Sequence, residues 1–158
     1  MTNTIQGRRI DGSLVELNRE QLVWRPSAYA LIFDAAGHIL LLDNTYNGKK
    51  DLPGGGVEIH ERLTEGLLRE VWEETGLTVT IAQLVYADDN FVMTPSGKNW
   101  HTVRHYYRAH VTGGTLRSSI IAGEHTINPR WLDPHPLQAA DFTSGYEALA
   151  LALAAGIR

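Results

Sequence analysis

The alternation of apolar and polar residues predicts a chain built mainly from strands. Residues 4–17 have the pattern of a hairpin that turns at Asp11 and Gly12. The apolar runs at residues 28–33 and 38–42 predict a second hairpin, more deeply buried, around the turn-forming residues 34–37. Four further strands are predicted, at residues 78–87, 91–94, 102–111 and 130–132.

Helical periodicity predicts one helix in the middle of the chain and one at its end. The first runs from about residue 61 to residue 75, and Gly76 stands where a left-handed C-cap belongs. The second opens at a capping box made by Ser144 and Glu147 and ends near Gly156. Strands with one helix inside and one at the end predict a mixed α/β (α+β) fold in a single domain, residues 1–158.

The composition is that of a globular protein and excludes several classes of function. Of 158 residues, 43% are hydrophobic and 20% are charged. The net charge of −4 does not attract a nucleic-acid polymer or an anionic membrane. The absence of cysteine excludes disulfides, thiolate metal sites and thiol nucleophiles. The first residues are polar and no apolar run approaches 18 residues, so we expect a soluble, cytoplasmic protein.

The middle helix carries an unusual concentration of negative charge. Glu70, Glu73 and Glu74 lie on one side of it, at spacings of three and four residues, near the negative end of the helix dipole. Each placement costs about a few tenths of a kcal/mol, so the whole set opposes helix stability. A solvated acidic face is the ordinary interpretation of such a surface. The alternative is a bound divalent cation, and oxygen ligands of this kind suit Mg²⁺ or Mn²⁺.

A glycine-rich segment precedes this helix. Pro53 is followed by Gly54, Gly55 and Gly56, but no Gly-Lys-Ser/Thr follows, so the segment is not a Walker loop. By itself a glycine triplet indicates only a turn. Here it brings bare backbone to the start of the acidic helix, where its carbonyl groups can join a metal shell.

Together these residues resemble a known signature, the Nudix box. Gly55, Glu61 and the run of residues 69–77 satisfy all nine constrained positions of that 23-residue pattern, which spans residues 55–77. The order of strands and helices also resembles the Nudix α/β/α sandwich with a mixed central sheet. The resemblance therefore covers most of the chain.

The resemblance implies a pyrophosphohydrolase that uses Mg²⁺ or Mn²⁺. Water would attack phosphorus and cleave the diphosphate linkage of a nucleoside diphosphate joined to another group, such as a nucleoside triphosphate or a nucleotide sugar like ADP-ribose. The resemblance implies a metal site formed by the carboxylates of Glu70, Glu73 and Glu74 and the carbonyl of Gly55, with Glu61 as an outer ligand or charge partner and Arg69 as the group that orients the carboxylates. A Nudix-fold module that binds a nucleotide without hydrolysis is the alternative, but such modules usually lose box glutamates.

The general base is not identified by the box. Only Glu124 and Glu147 follow the box among the glutamates, and the predicted capping box occupies Glu147. Some Nudix relatives take the base from a later loop, about where Glu124 lies. Glu124 is therefore the first candidate, an exposed loop glutamate is the alternative interpretation, and Glu73 is the second candidate for the base.

Substrate contacts are less visible in the sequence. The side chains that we expect to bind a phosphate or stack on a base are Lys49, Lys50, Arg104, Arg108, Trp100 and Tyr46. For each of them an ordinary structural role, as a solvated or packed side chain, remains open. The apolar final helix is either part of the core or a contact in a homodimer.

Overall fold

Two β-sheets contain the nine strands of the computed structural model, which describes residues 2–158. The strands are β1 (Thr4–Arg9), β2 (Leu14–Asn18), β3 (Leu22–Ile32), β4 (Ile39–Asn44), β5 (Lys50–Asp51), β6 (Gly54–Gly56), β7 (Leu77–Met93), β8 (Asn99–Gly114) and β9 (Thr126–Leu132). The helices are α1 (Leu63–Thr75) and α2 (Tyr146–Ala154). The larger sheet has the order β2-β1-β7-β8-β3-β6 and the smaller sheet the order β5-β4-β9.

The strand β3 lies between β8 and β6 and contributes to two buried clusters, one with each helix. Its even-numbered residues Ala28, Ala30 and Ile32 belong to a buried cluster that includes Leu67 and Val71 of α1. Its odd-numbered side contributes Leu31 to a second cluster that includes residues of α2. Since β3 is parallel to β8 and antiparallel to β6, the sheet is mixed. The predicted mixed α/β fold class is confirmed.

The first predicted hairpin is present, and the second is wrong beyond its turn. β1 and β2 pair as predicted. The turn at residues 34–37 also forms, with the Asp34 N–H donating to the His38 carbonyl at 2.9 Å. After a single bridge between Phe33 and Ile39, however, β3 and β4 diverge into different sheets. Both apolar runs are buried on consecutive residues, so each strand is packed against other residues on both faces. β3 pairs with β8, and β4 pairs with β9.

The strands predicted at residues 78–87 and 91–94 are one strand, β7. The polar residues 88–90 that suggested a break pair with residues 102–104 of β8. Asp88 accepts two hydrogen bonds of 2.7 Å from the guanidinium of Arg104. A polar segment remains in the strand because its side chains are satisfied across the ladder.

Both helices differ from the prediction at their starts. α1 begins at Leu63, two residues later than predicted, where the Glu65 carboxylate accepts a 2.8 Å hydrogen bond from the Arg62 N–H. Its predicted end is confirmed, because Gly76 is left-handed with φ of 73°. The predicted capping box of α2 is wrong: the N-cap is Gly145, also left-handed, and no side chain caps it. Within residues 2–158, no helix combines the length and apolar character needed to cross a membrane.

Candidate active site

A cavity of about 630 Å³ lies where the glycine loop, α1, β3, β8 and the loop before β9 meet. The residues 54–56 of β6 form part of its wall. Four glutamates line the same cavity, Glu70, Glu73, Glu74 and Glu124. Its size is within the usual range for a small-molecule site. The structure therefore brings the acidic helix, the glycine loop and the candidate loop acid to one place.

Glu74 is the most deeply buried of these carboxylates, with 2% of the residue exposed. One of its oxygens accepts a 2.8 Å hydrogen bond from the Gly54 N–H, and the other accepts one from the hydroxyl of Thr126. Burial raises the pKa of Glu74 well above its usual range, although both hydrogen bonds oppose the shift. The side chain thus joins α1 to both β6 and β9 at the cavity.

Arg69 organises the other acidic side chains of the box. Its guanidinium donates to both oxygens of Glu61, at 2.7 and 2.9 Å, and to the Gly56 carbonyl at 3.1 Å. It also donates to Glu70 at 2.8 Å and to Glu73 at 3.3 Å. The hydrogen bonds with Arg69 hold the pKa of Glu61 at about 2. Arg69 thereby fixes the directions in which three carboxylates point.

The role of Glu61 as an outer metal ligand stays a prediction, and its contacts in the structure match the alternative better. Both of its oxygens accept hydrogen bonds from Arg69, one also accepts from the Glu58 N–H at 3.0 Å, and Glu61 is not among the residues that line the cavity. Its other proposed role, as the charge partner of Arg69, matches these contacts.

Glu70 lies directly against the glycine loop. A Cβ added to Gly55 would come within 2.9 Å of the Glu70 carboxylate, so glycine at this position leaves room for it. Burial raises the pKa of Glu70, the ion pair with Arg69 opposes that shift, and the charges of Glu73 and Glu124 add to it. Neighbouring negative charge thus destabilises the ionised form in the absence of a cation.

The cavity has the donor set of a hard divalent cation. Its candidate ligands are carboxylate and carbonyl oxygens, as Mg²⁺ and Mn²⁺ prefer. No three His, Asp or Glu side chains of residues 2–158 converge in ligating geometry. The reason is visible in the contacts, since Arg69, Gly54 and Thr126 hold oxygens of the acidic side chains. A bound cation would offset the mutual repulsion of these carboxylates. The residues that line the cavity therefore fit a divalent cation.

Of the six side chains predicted to contact substrate, Trp100 and Tyr46 line the cavity. Tyr46 is 49% exposed and packs against the His125 ring at 4.7 Å between centroids. Trp100 lies on β8 and is half-buried. The contact of either ring with a base stays a prediction.

The four predicted basic side chains do not line the cavity, which corrects that part of the prediction. Arg108 is only 5% exposed, donates to the Leu31 carbonyl at 3.1 Å and stacks over Phe33. Arg104 is occupied by Asp88, and Lys50 forms a 2.6 Å ion pair with Asp43. Lys49 lies in the turn before β5, outside the cavity wall.

Sequence reasoning missed several polar side chains that line the cavity. Arg25, Ser27 and Tyr29 alternate along the start of β3 and all line the cavity. The residues before the predicted strand already alternate between polar and apolar positions. The predicted strand began only at residue 28, so these polar positions were not assigned to it. Lys98 and Asp51 line the cavity as well.

Asp51 is a carboxylate whose ionisation the fold opposes. Burial raises its pKa to about 6, although the Asn44 amide donates a 2.7 Å hydrogen bond to it. Below about pH 4 the carboxyl is protonated in both folded and unfolded chains. As the pH rises to 6, the unfolded chain loses its proton first, so the folded state loses stability over this window and the loss is complete above it.

Asp51→Asn is therefore expected to stabilise the fold above pH 6 by roughly 1–2 kcal/mol and to have little effect below about pH 4. The amide oxygen can still accept the hydrogen bond from Asn44. Urea unfolding between pH 3.5 and 8, without metal or nucleotide, measures the difference. Asp11→Asn is the control, because hydrogen bonds from Ser13 lower the pKa of Asp11 instead. An equal stability difference at all pH values would contradict the assignment.

The chain is similar to known proteins along most of its length. The model of the NUDIX domain matches residues 23–152. The 8-oxo-dGDP phosphatase NUDT18 of Danio rerio is 30% identical over 125 residues, which are 75% of this chain and 36% of that protein. A MutT-like protein of Streptomyces ambofaciens is 34% identical over 98 residues, 62% of this chain and 56% of that protein. This chain thus spans between about a third and a little over half of these relatives.

A solved structure shows the same fold. The MutT NUDIX hydrolase of Burkholderia pseudomallei is 26% identical, with a TM-score of 0.64 over 82% of this chain and 98% of that one. The predicted Nudix-type sandwich is confirmed. Because the family model matches most of the sequence and residues 55–77 carry the complete box, the chain belongs to the Nudix family.

Proposed function

We propose that this chain is a divalent-metal-dependent pyrophosphohydrolase, formed by one Nudix domain over residues 1–158. Its substrate is a nucleoside diphosphate joined to another group, either a nucleoside triphosphate or a nucleotide sugar such as ADP-ribose. The observation that carries the proposal is the meeting of four glutamates with the glycine loop in one cavity of nucleotide size. The relative named as an 8-oxo-dGDP phosphatase supports a nucleotide substrate.

In this proposal Glu70, Glu73 and Glu74 hold Mg²⁺ or Mn²⁺, with the Gly55 carbonyl as a further ligand. The ion, when bound, neutralises phosphate charge and lowers the pKa of the attacking water. Arg69 positions Glu70 and Glu73 and keeps Glu61 away from the cavity. The tight bond of Glu74 to the Gly54 N–H holds the glycine loop against α1.

The general base in this proposal is Glu124. Its side chain lines the cavity with the three box carboxylates, and one of its oxygens accepts a 3.1 Å hydrogen bond from the His125 N–H. Unlike Glu70 and Glu73, Glu124 receives no hydrogen bond from Arg69 in the described chain. It is thus free of the pairing that occupies the other candidate, Glu73.

Glu124→Gln is expected to lower kcat at least about tenfold with little change in KM, because the amide cannot accept the proton of water. Steady-state kinetics at saturating Mg²⁺ measure the effect. Glu147→Gln is the control, since Glu147 is exposed on α2 and does not line the cavity. A kcat within a factor of two of the wild-type value would assign the base to Glu73.

A nucleotide-binding module without hydrolysis is the second candidate function. The intact set of box carboxylates in one cavity argues against it. A panel of nucleoside triphosphates and nucleotide sugars, incubated with Mg²⁺, separates the two functions when both phosphate-containing products are identified by mass spectrometry. Binding of a nucleotide without product from any member of the panel would favour the module.

A further inference from the structure

We propose that Arg25 binds the phosphate groups of the substrate, and that Gly56 is glycine because it forms one wall of the slot for the Arg25 guanidinium. The inference rests on the proposed function and adds a residue outside the Nudix box. It assigns a phosphate-binding role to an arginine that lines the same cavity as the carboxylates.

The position of Arg25 follows from the pairing of three strands. On β3, Arg25 lies opposite Thr102 of β8, and Ser27, two residues further along, lies opposite Gly56 of β6. Arg25 and Ser27 therefore point to the same face of the sheet, and both line the cavity. The guanidinium can reach back over β6 from this position.

The guanidinium occupies a narrow slot. On one side its Cζ lies 5.1 Å from the ring centroid of Trp100, a cation–π distance. On the other side it rests against Gly56, where an added Cβ would overlap the guanidinium itself. Gly56 has no left-handed backbone that would require glycine. Space for Arg25 is thus the visible reason for glycine at this position.

The guanidinium has no hydrogen-bonding or ionic partner within residues 2–158, in contrast to those of Arg69, Arg104 and Arg130, which are all paired with carboxylates. An arginine carries five N–H donors. A guanidinium that is fixed by stacking, unpaired, and directed into a cavity is suited to a ligand with several anionic oxygens.

The location of the slot identifies which part of the substrate it contacts. Gly56 follows Gly55, against which the Glu70 carboxylate lies. Because neighbouring strand residues face opposite sides, Arg25 and Glu70 lie on the two sides of β6. Both line one cavity, and in this proposal the phosphate groups of the substrate lie between them. Among the residues that line the cavity, Arg25 is the arginine and Lys98 is the lysine. Lys98 is exposed.

The test is a double-mutant cycle. Arg25→Ala should lower kcat/KM about 10–100-fold, the usual range for losing charge-assisted hydrogen bonds. Arg25→Lys should have an intermediate kcat/KM, because lysine keeps the positive charge and lacks the paired N–H donors of the guanidinium. Gly56→Ala keeps Arg25 but displaces its guanidinium, so it should lower kcat/KM about tenfold in the wild type and less than about twofold in the Arg25→Ala background.

Binding of inorganic pyrophosphate, measured by calorimetry with Mg²⁺, gives a readout that does not depend on turnover. Arg25→Ala should weaken this binding, whereas the control Arg8→Ala, which removes an exposed charge outside the cavity, should not. If the wild type hydrolyses no diphosphate compound, the proposed function fails, and loss of pyrophosphate binding in Arg25→Ala alone would still support this site.

Three results would overturn the inference. One is an Arg25→Ala protein whose kcat/KM and pyrophosphate affinity stay within twofold of the wild type. Another is Gly56→Ala acting equally in both backgrounds, which would mean that its effect does not pass through Arg25. The third is a lower melting temperature for Arg25→Ala with unchanged kinetics, which would leave the contact with Trp100 a purely structural one.

Discussion

Replacing Glu73 or Glu74 by glutamine is expected to lower kcat at least about 100-fold. Mutation of a residue that supports a metal ligand typically lowers activity about tenfold to 100-fold, and loss of a proposed ligand itself should lower it more. Without metal, each variant should be as stable as the wild type or more stable. For Glu74, burial opposes the charged form, so a neutral side chain relieves the folded state. For Glu73, only a 3.3 Å contact to Arg69 is lost.

The control for this pair is Glu65→Gln, in the first turn of the same helix. Glu65 is exposed and does not line the cavity, and glutamine can still accept the hydrogen bond from the Arg62 N–H. Kinetics at several Mg²⁺ concentrations, together with thermal unfolding in a chelator, measure both halves of the expectation. Wild-type turnover by either Glu73→Gln or Glu74→Gln would show that the metal assignment is wrong.

The acidic wall of the cavity was predictable because its geometry is local. Residues three and four apart on one helix share a face whatever surrounds it, so Glu70, Glu73 and Glu74 had to lie together. Gly76 likewise fixes the end of α1 through its own backbone. The fold class followed from the order of the elements, which again needs no knowledge of side-chain partners.

Which arginines line the cavity was not predictable, because the surroundings of each one depend on residues far away in sequence. Arg104 shares a polar alternation with true cavity residues, but Asp88, 16 residues earlier, neutralises it. Arg108 is covered by Leu31 and Phe33 of the neighbouring strand end. The environment of Arg25 is set by Trp100 and Gly56, on two other strands. No periodicity along one strand contains this information.

The same reason explains the errors in the strands. A polar segment such as residues 88–90 indicates a break when read alone, and only its pairing with residues 102–104 shows that the strand continues. The turn at residues 34–37 was correct locally, whereas the separation of β3 from β4 depends on which other strands cover them. Turns are local, and sheet membership is not.

The three glycines of the cavity loop offer a second test with a large effect, because each contacts something different. Gly54→Ala is expected to destabilise the fold by about 3 kcal/mol or more. Gly54 has a φ of 139°, which side chains rarely adopt, and an added Cβ would overlap the Ala28 carbonyl and come within 2.6 Å of the Tyr29 Cα. The backbone of a buried strand cannot move aside. Urea unfolding in the absence of metal measures the loss.

Gly55→Ala is the matched comparison, one residue further along the same strand. Its φ is not left-handed, and the nearest atoms to an added Cβ belong to the flexible end of Glu70, at 2.9 Å. The fold should therefore lose less than about 1 kcal/mol, while kcat falls at least about tenfold as the Glu70 carboxylate is pushed from its place.

If Gly54→Ala were as stable as Gly55→Ala, the close packing of β6 on β3 could not be what holds the loop. If Gly55→Ala kept full activity, the position of Glu70 against the loop would not matter for turnover. The expected pattern is stability lost at Gly54 and activity lost at Gly55. It separates the part of the loop that supports the fold from the part that shapes the proposed metal site.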